Sequence, residues 1–307
     1  MISGAGGQVG AFLAGEAARR GSDVLALTSA QFDITDPVAA GRIIEGGDVV
    51  INCAAYTNVD AAESDEAAAL AVNVAGPQAL AQTCARSGAR LIHLSTDYVF
   101  SGGFSGVFSG GFSGGFSGSV GGSQTRPYEP GDETGPLSVY GRTKLAGELA
   151  ARAALPATTV VRTAWVYTGG TGTDFVATMR RLAAGDGSVD VVDDQIGSPT
   201  YVADLAGALL QVAEGRIRER IVHAANVGAV SRFDQARAVF EDLGADPRRV
   251  RPVSSRDQHR PAPRPRYSAL SGRRSAEAGL TPLRPWRDAL AEALAVSVEQ
   301  GPLTSTP

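Results

Sequence analysis

The chain has 307 residues, of which 43% are hydrophobic and 20% charged, and its formal net charge is −4. This composition is typical of a soluble globular protein with one large or two modest domains and a sizeable core. The weak negative charge gives no indication of a nucleic-acid partner or a membrane surface, and no apolar run is long enough to span a bilayer.

The chain opens with a glycine-rich segment that is typical of a dinucleotide-binding turn. Its glycines have the spacing Gly-x-x-Gly-x-x-Gly, and apolar residues at helical spacing follow from 9 to 20. Such glycines let the backbone approach a pyrophosphate, which the N-terminus of the next helix can bind. Because a strand usually has about five residues, we expect the numbered chain to start inside its first strand. The candidate cofactor contacts here are Gly4, Gly7, Gln8, Val9 and Gly10.

A second strand is predicted at 23–27, and it is followed by Thr28 and Ser29 rather than by an acid. An acid at this position commonly binds the ribose 2′-hydroxyl of the cofactor and repels a 2′-phosphate. Its absence permits NADPH, while NADH stays possible. Asp33 and Ile34 stand where the adenine end of a cofactor could be contacted, although a turn or helix cap explains Asp33 equally well.

Two buried parallel strands are predicted at 48–55 and 90–95, with a helix between them. Ala54 and Ala55 end the first of these strands, and their small side chains would let a cofactor pass close to the backbone. Thr96 follows the second strand. In an open α/β sheet a hydroxyl at the carboxyl end of a strand lies at the ligand crevice, so Thr96 could hydrogen-bond a substrate carbonyl.

Five tetrapeptides of the form Phe-Ser-Gly-x follow one another from Phe100 to Ser119. Gly and Ser oppose helix and strand alike, and segments rich in them behave as flexible linkers. We therefore predict a low-complexity flexible loop insertion at 100–123. The regularly spaced phenylalanines could cover a bound substrate, but a disordered segment without a function is the favoured interpretation.

Tyr140 and Lys144 stand four residues apart, and Lys144 is the only lysine of the chain. On a helix this spacing places both side chains on one face. A phenol has a pKa of about 10, and a nearby ammonium lowers it. The pair could then deliver a proton to the alkoxide formed when a carbonyl is reduced. Arginine could not replace this compact ammonium, because its charge is spread over a planar group.

The second half of the chain continues the alternation of strands and helices and ends in an Arg- and Pro-rich helical region. We therefore predict the α/β class, with a Rossmann-type doubly wound parallel sheet and a smaller C-terminal substrate-binding lobe. Residues 1–168 would form the NAD(P)-binding domain, with 198–225 returning to it, and 169–307 mainly the lobe. The predicted elements are strands at 159–164, 188–192 and 221–225, and helices at 175–184, 204–214, 232–243 and 285–296.

Cysteine and histidine usage bears on location and metal binding. Cys53 and Cys84 stand in apolar surroundings without metal-ligand spacing, and the three histidines form no ligand pattern. No signal peptide is expected ahead of the glycine-rich segment. The sequence therefore predicts a cytoplasmic protein with no assignable metal ligands.

Taken together, the motifs resemble those of extended short-chain dehydrogenases/reductases and, more narrowly, the dTDP-4-dehydrorhamnose reductase family. The resemblance covers residues 4 to about 290, in family order. The specific segments are Ser95-Thr-Asp-Tyr-Val-Phe100 and Asp194-Gln-Ile-Gly-Ser-Pro-Thr200. The glycine-rich segment and Tyr-x-x-x-Lys are shared across the wider superfamily.

The resemblance implies an enzyme that reduces the C4 keto group of a dTDP-4-dehydro-6-deoxy sugar with NADPH or NADH. It makes Thr96, Tyr140 and Lys144 the catalytic set. Some members use Mg²⁺, for which no ligands can be assigned here, and a homodimer is possible. The residues that the resemblance places near the sugar nucleotide are Asp97, Tyr98, Trp165 and, beside the diphosphate, Arg264.

Two departures and two alternatives accompany this interpretation. Asp174 and Tyr267 stand where the family usually has Asn. One alternative is another NDP-sugar epimerase or reductase. A dehydratase is disfavoured, because Asp97 is followed by Tyr98 rather than by a second acid. The other alternative is a non-catalytic, NADP-binding regulatory subunit like that of methionine adenosyltransferase.

Overall fold

The computed structural model describes residues 1–36, 38–102, 126–170, 172–217 and 219–299. The predicted α/β class is confirmed, since parallel strands joined by helices form the central sheet. The strands are β1 (Ile2–Ser3), β2 (Ala26–Leu27), β3 (Val49–Asn52), β4 (Arg90–Thr96), β5 (Thr159–Thr163), β6 (Val166–Tyr167), β7 (Val189–Val192), β8 (Ile196–Gly197), β9 (Thr200–Tyr201), β10 (Ile221–His223), β11 (Val230–Ser231) and β12 (Val250–Val253). The helices are α1 (Gln8–Arg19), α2 (Val59–Ala62), α3 (Glu66–Leu70), α4 (Gly76–Ser87), α5 (Val139–Ala154), α6 (Phe175–Ala183), α7 (Val202–Ala213), α8 (Arg232–Asp242), α9 (Arg273–Glu277) and α10 (Trp286–Glu299).

The central sheet has six parallel strands in the order β2-β1-β3-β4-β5-β10. The chain runs outward from β1 to β2 and then returns to β3 on the other side of β1. Ile2 of β1 accordingly pairs with Ala26 on one side and with Ile51 on the other. Such a reversal of strand order opens a crevice at the carboxyl ends of the strands.

Helices cover both faces of this sheet. On one face Leu13 of α1 packs with Ile51, and on the other Leu80 of α4 packs with Val50. Val50 and Ile51 are neighbours in β3 and face opposite layers, because side chains alternate along a strand. Burial on both faces explains why β3 has a continuous apolar sequence, and each such side chain contributes about 1.5–3 kcal/mol to stability.

Helix α5 is capped at its start, and at its middle it packs closely against a neighbouring turn. The Ser138 hydroxyl caps it by accepting from the Gly141 backbone N–H at 3.1 Å. Gly147 faces the π-helical turn Ala71–Ala75, where any Cβ would overlap the carbonyl oxygen of Asn73. The sequence predicted one helix between the strands at 48–55 and 90–95, and this π-helical turn interrupts it.

A second hydrophobic core lies in the C-terminal half of the chain, where Met179, Val191, Phe240 and Leu290 pack together. This half also contains β12, which pairs in parallel with β7. From residue 231 onward the sequence predicted only helices, and it missed β12 because a proline, Pro252, lies within the strand. Proline lacks an N–H group and is tolerated at the edge of a sheet, which is where this two-stranded sheet places it. The division into two domains stays a prediction.

The predicted flexible loop insertion at 100–123 is wrong at its first residue, because Phe100 is fully buried and stacked on Tyr128. From residue 103 onward the predicted insertion lies outside the described residues. The described chain stops at Gly102 and resumes at Arg126. Gly102 has a φ of 74° and approaches the ring of Pro265 so closely that a Cβ would collide with it. In the part of the chain that the structure describes, no helix is long and apolar enough to cross a bilayer.

Candidate active site

A cavity of about 860 Å³ opens at the carboxyl ends of the central strands. It contains almost every site residue that the sequence predicted, and it also exposes Arg232, which the sequence did not single out. Arg264 is the one predicted residue that does not line it. The predicted residues on its wall are Gly4, Gly7, Gln8, Val9, Gly10, Asp33, Ile34, Ala54, Ala55, Thr96, Asp97, Tyr98, Tyr140, Lys144 and Trp165.

The glycine-rich turn forms a tight cradle in the cavity wall. Gly4 has a φ of 75°, and a Cβ there would lie 2.5 Å from the backbone nitrogen of Ala54. A Cβ at Gly10 would overlap the carbonyl oxygen of Gly4. Helix α1 begins at Gln8 without a capping side chain and without an acid in its first turn. Its free N–H groups and dipole suit an anion, so the cradle fits the pyrophosphate of a dinucleotide.

Asp174, one of the two departures from the family pattern, holds this turn against the C-terminal lobe. Its carboxylate caps α6 by accepting from the Ala177 N–H at 2.9 Å. The other oxygen accepts from the Thr168 hydroxyl at 2.8 Å and from Gln8 Nε2 at 3.1 Å. The negative charge is thus engaged by donors within the protein.

Asp33, which also lines the cavity, is compatible with both interpretations that the sequence allowed, a turn residue and a cofactor contact. Its carboxylate accepts from the N–H and hydroxyl of Thr35 at 2.8 and 2.7 Å, which closes a turn. These bonds hold the pKa of Asp33 below its usual value. Asp33 nevertheless lies on the cavity wall, beside Ser29 and the buried Ile34. Its contact with a cofactor stays a prediction.

Thr96 and Tyr140 lie next to each other on the cavity wall. The Thr96 side chain lies beside the Tyr140 phenol, and the Tyr98 ring lies edge-on to Tyr140 with 5.6 Å between centroids. Burial raises the pKa of Tyr140 above its usual value, and the nearby Asp97 adds to this effect. The sequence expected Lys144 to lower this pKa, and that expectation is wrong for the structure because desolvation dominates.

The Lys144 ammonium instead donates to the carbonyl oxygen of Leu94 at 2.7 Å. Burial lowers the pKa of Lys144 to about 8, and Glu148, one turn along α5, opposes that shift. Glu148 forms a buried ion pair with Arg162 at 2.7 Å and accepts from the Ser95 hydroxyl at 2.5 Å. The sequence analysis missed this network, although Glu148 stands four residues after Lys144 on the same helical face.

Asp97 is a buried carboxyl group directly after Thr96. It accepts from the Ser268 hydroxyl at 2.5 Å and from the Thr96 hydroxyl at 3.1 Å. Burial raises the pKa of Asp97 to about 6, because these two bonds only partly offset the loss of hydration. Asp97 therefore helps to fix the orientation of Thr96.

Trp165 follows β5 with a φ of 47°, the only positive value at a non-glycine residue in the described chain. Such a backbone costs on the order of 1–3 kcal/mol and persists only where the surroundings impose it. The Trp165 ring is held between Gly197, where any Cβ would overlap it, and the guanidinium of Arg232. The ring is thereby fixed on the cavity wall.

Arg264 lies near Tyr98, and the two side chains interact electrostatically. Its guanidinium forms a two-point ion pair with Asp60, with one bond at 2.7 Å, and it also donates to the Ala262 carbonyl at 2.7 Å. The predicted contact of Arg264 with a diphosphate stays a prediction. Tyr267, the second departure from the family pattern, is buried with Val99 and its neighbours rather than facing the cavity.

No group of three or more His, Cys, Asp or Glu side chains within the described residues is arranged to hold a metal ion. The Asp194 carboxylate accepts hydrogen bonds from the Ser254 and Ser255 hydroxyls, so it has a structural role. Thr200 is fully buried and pairs with Val166.

Comparison with known proteins gives consistent matches over nearly the whole chain. The family model described as the RmlD substrate binding domain matches residues 1–298. The dTDP-4-dehydrorhamnose reductase of Mycobacterium tuberculosis is 67% identical over 295 residues, which cover 96% of this chain and 92% of that protein.

Solved structures give the same result. The fold is similar to that of a dTDP-4-dehydrorhamnose reductase from Clostridium acetobutylicum, with a TM-score of 0.84, 33% identity, and coverage of 96% of this chain and 98% of that one. It is equally similar to the dTDP-4-dehydrorhamnose reductase of Bacillus anthracis solved in complex with NADP, with a TM-score of 0.84, 30% identity and the same coverage of 96% and 98%.

Proposed function

The chain belongs to the dTDP-4-dehydrorhamnose reductase family, and from this premise we propose that it reduces the C4 keto group of dTDP-4-dehydro-L-rhamnose with NADPH. The product would be dTDP-L-rhamnose, a nucleotide-sugar precursor of polysaccharides. The observation that carries the proposal is that Thr96, Tyr140 and Lys144 line one cavity with the glycine cradle. A proton donor and a dinucleotide site are what a carbonyl reduction requires.

The residues suited to hold the cofactor are the glycine cradle for its pyrophosphate and Ala54 and Ala55 for close passage beside β3. When bound, the nicotinamide supplies the hydride. NADPH is favoured because Thr28 and Ser29 leave no acid where a 2′-phosphate would lie. The relative from Bacillus anthracis, solved with NADP, supports the same preference.

Tyr140 would donate the proton to the C4 oxygen. Its raised pKa supports this role, because a donor must still hold its proton at neutral pH. Thr96 would hydrogen-bond the same oxygen and keep it in line with the phenol. Lys144 has a pKa of about 8, so its side chain is mostly protonated at neutral pH. The ammonium would bind the cofactor ribose.

The sugar nucleotide would lie between the sheet and the C-terminal lobe, against Trp165, Tyr98 and Asp97. The printed names of the relatives support a dTDP-sugar as the substrate. Free cysteines at 53 and 84 agree with a cytoplasmic location, which stays a prediction.

The test is NADPH oxidation by the purified protein with dTDP-4-dehydro-L-rhamnose generated in the assay. Tyr140→Phe should lower turnover by about 10²–10⁴-fold while NADPH affinity holds. Tyr167→Phe is a matched control, because the Tyr167 hydroxyl has no hydrogen-bond partner among the described residues and does not line the cavity.

Near-normal turnover in Tyr140→Phe would remove the assignment of the proton donor. No turnover by the wild-type protein, with NADPH binding intact, would contradict the proposed reaction. That second result would favour a different sugar nucleotide or the non-catalytic regulatory alternative.

A further inference from the structure

Arg232, the first residue of α8, places a cation on the cavity wall beside the proposed catalytic residues. The centre of its guanidinium lies 3.5 Å from the centroid of the Trp165 ring and 4.8 Å from that of Phe175. Two aromatic rings therefore fix the plane of the guanidinium. The electrostatic neighbours of Arg232 include Asp97 and Tyr98, which places it near Thr96 and Tyr140 on the cavity wall.

The hydrogen-bonding capacity of this guanidinium is mostly unused. One N–H donates to the Gln235 side-chain oxygen at 3.2 Å, and no described carboxylate forms an ion pair with Arg232. A guanidinium has five N–H donors, so four have no partner within the described residues. The Arg232 side chain is partly exposed on the cavity wall, so an anionic ligand in the cavity can supply the missing counter-charge. Burial lowers the pKa of Arg232 only to about 10, so the group stays charged at neutral pH.

Arg264, the arginine that the sequence analysis placed beside the diphosphate, already has a counter-ion. Arg264 forms its two-point ion pair with Asp60, and its remaining contacts go to the Ala262 carbonyl and Tyr98. Binding an anion through Arg264 would require breaking that ion pair. Arg232 can accept an anion without losing any protein contact.

We propose that Arg232 binds the diphosphate of the sugar nucleotide, and that its stacking on Trp165 holds it in the orientation for two-point contact. This inference rests on the proposed function, which places the reacting sugar at Tyr140 and hence its diphosphate in the same half of the cavity. A guanidinium held flat by an aromatic ring presents paired N–H groups, which match the oxygens of a phosphate. The pyrophosphate of the cofactor is assigned to the glycine cradle, a separate part of the wall.

The test measures the binding of dTDP and of NADPH to wild-type protein by calorimetry, in parallel with turnover. Arg232→Gln should weaken dTDP binding by about 10- to 100-fold, the range expected for one lost bond between charged groups. NADPH affinity should stay unchanged. Arg232→Lys, which keeps the charge but loses the planar fork, should recover part of the dTDP affinity.

Arg237→Gln is the matched control, because Arg237 lies on the same helix, is 43% exposed and pairs with Glu241 away from the cavity. It should bind dTDP like the wild type. Thermal melting of each variant separates a loss of binding from a loss of folding. Wild-type dTDP affinity in a folded Arg232→Gln protein would overturn the inference, and so would a loss of NADPH affinity instead of dTDP affinity.

The inference and the proposed function fail differently. Wild-type turnover together with dTDP binding that does not depend on Arg232 would overturn the inference alone. Arg232-dependent dTDP binding without turnover of dTDP-4-dehydro-L-rhamnose would support the diphosphate contact and overturn the proposed reaction.

Discussion

Arg162 and Glu148 form a buried, two-point ion pair directly behind the proposed catalytic residues. Arg162 Nε donates to Glu148 Oε1 at 2.9 Å and Nη2 to Oε2 at 2.7 Å, and both side chains are at most 3% exposed. The pair joins β5 to α5. The strand that ends before Trp165 and the helix that carries Tyr140 and Lys144 are therefore fixed relative to each other.

Glu148→Gln should destabilise the protein by about 3–5 kcal/mol, because it leaves the Arg162 charge buried without a counter-charge. Urea unfolding of the variant and the wild type measures this difference. Glu16→Gln is the control, since Glu16 pairs on the surface with Arg19, which is 73% exposed. Exposed pairs contribute about 0–1 kcal/mol, so equal losses in the two variants would contradict the argument.

Lys144→Met should stabilise the protein at neutral pH. The pKa of Lys144 falls from 10.5 to about 8 on folding, so between these pH values the unfolded chain binds more protons than the folded one. Stability of the wild type therefore rises with pH across that window, and the cost of burying the charge is fully present below it. At about 1.4 kcal/mol per pKa unit, the variant should be more stable by a few kcal/mol at pH 7.

Thermal melting of both proteins from pH 7 to above pH 10 checks this prediction. The stability gap should shrink steadily as Lys144 loses its proton in the folded wild type. A gap that does not change with pH would show that packing, not charge burial, distinguishes the two proteins.

Gly10→Ala should weaken NADPH binding and destabilise the fold. A methyl group at Gly10 would overlap the carbonyl oxygen of Gly4, so the glycine cradle would have to open. Gly15 is a matched control on the same helix, because nothing lies within 4 Å of a Cβ there. Gly15→Ala should stabilise α1 by up to about 1 kcal/mol through helix propensity. Calorimetry measures NADPH binding by both variants, and thermal melting measures their stability. Normal NADPH binding by Gly10→Ala would contradict the prediction.

Ser29→Asp should raise the KM for NADPH by about tenfold or more and leave that for NADH nearly unchanged. Ser29 lines the cavity just after β2, where the ribose 2′-phosphate is proposed to lie. Like charges a few ångströms apart repel by about 1 kcal/mol in water and more near a protein surface. Ser29→Asn adds similar volume without charge and should preserve the NADPH preference. Equal effects of both variants would argue for a steric cause.

The sequence predicted much of the fold and most of the cavity wall, because those features depend on local patterns. Tyr140 and Lys144 share a face of α5 through helical spacing alone. Thr96 lies at the crevice because it ends β4, and the carboxyl ends of parallel strands share one edge. The α/β class follows from the same periodicities, and the roles of these residues stay predictions.

The features that the sequence did not predict depend on contacts between distant segments. Arg232 is one arginine among many, and only the folded chain brings it onto Trp165. Gln8 and Asp174 meet across 166 residues. The direction of the Tyr140 pKa shift depends on its burial, which helical spacing does not reveal.

The burial of Lys144 has a consequence for chemical labelling. Lys144 is the only lysine of the chain, so it carries the only side-chain amine. An amine-specific acylating reagent that modifies a side chain therefore reports on the cavity and not on the outer surface. The rate of acylation would follow the fraction of Lys144 that is neutral. A bound cofactor would be detected as slower acylation of Lys144.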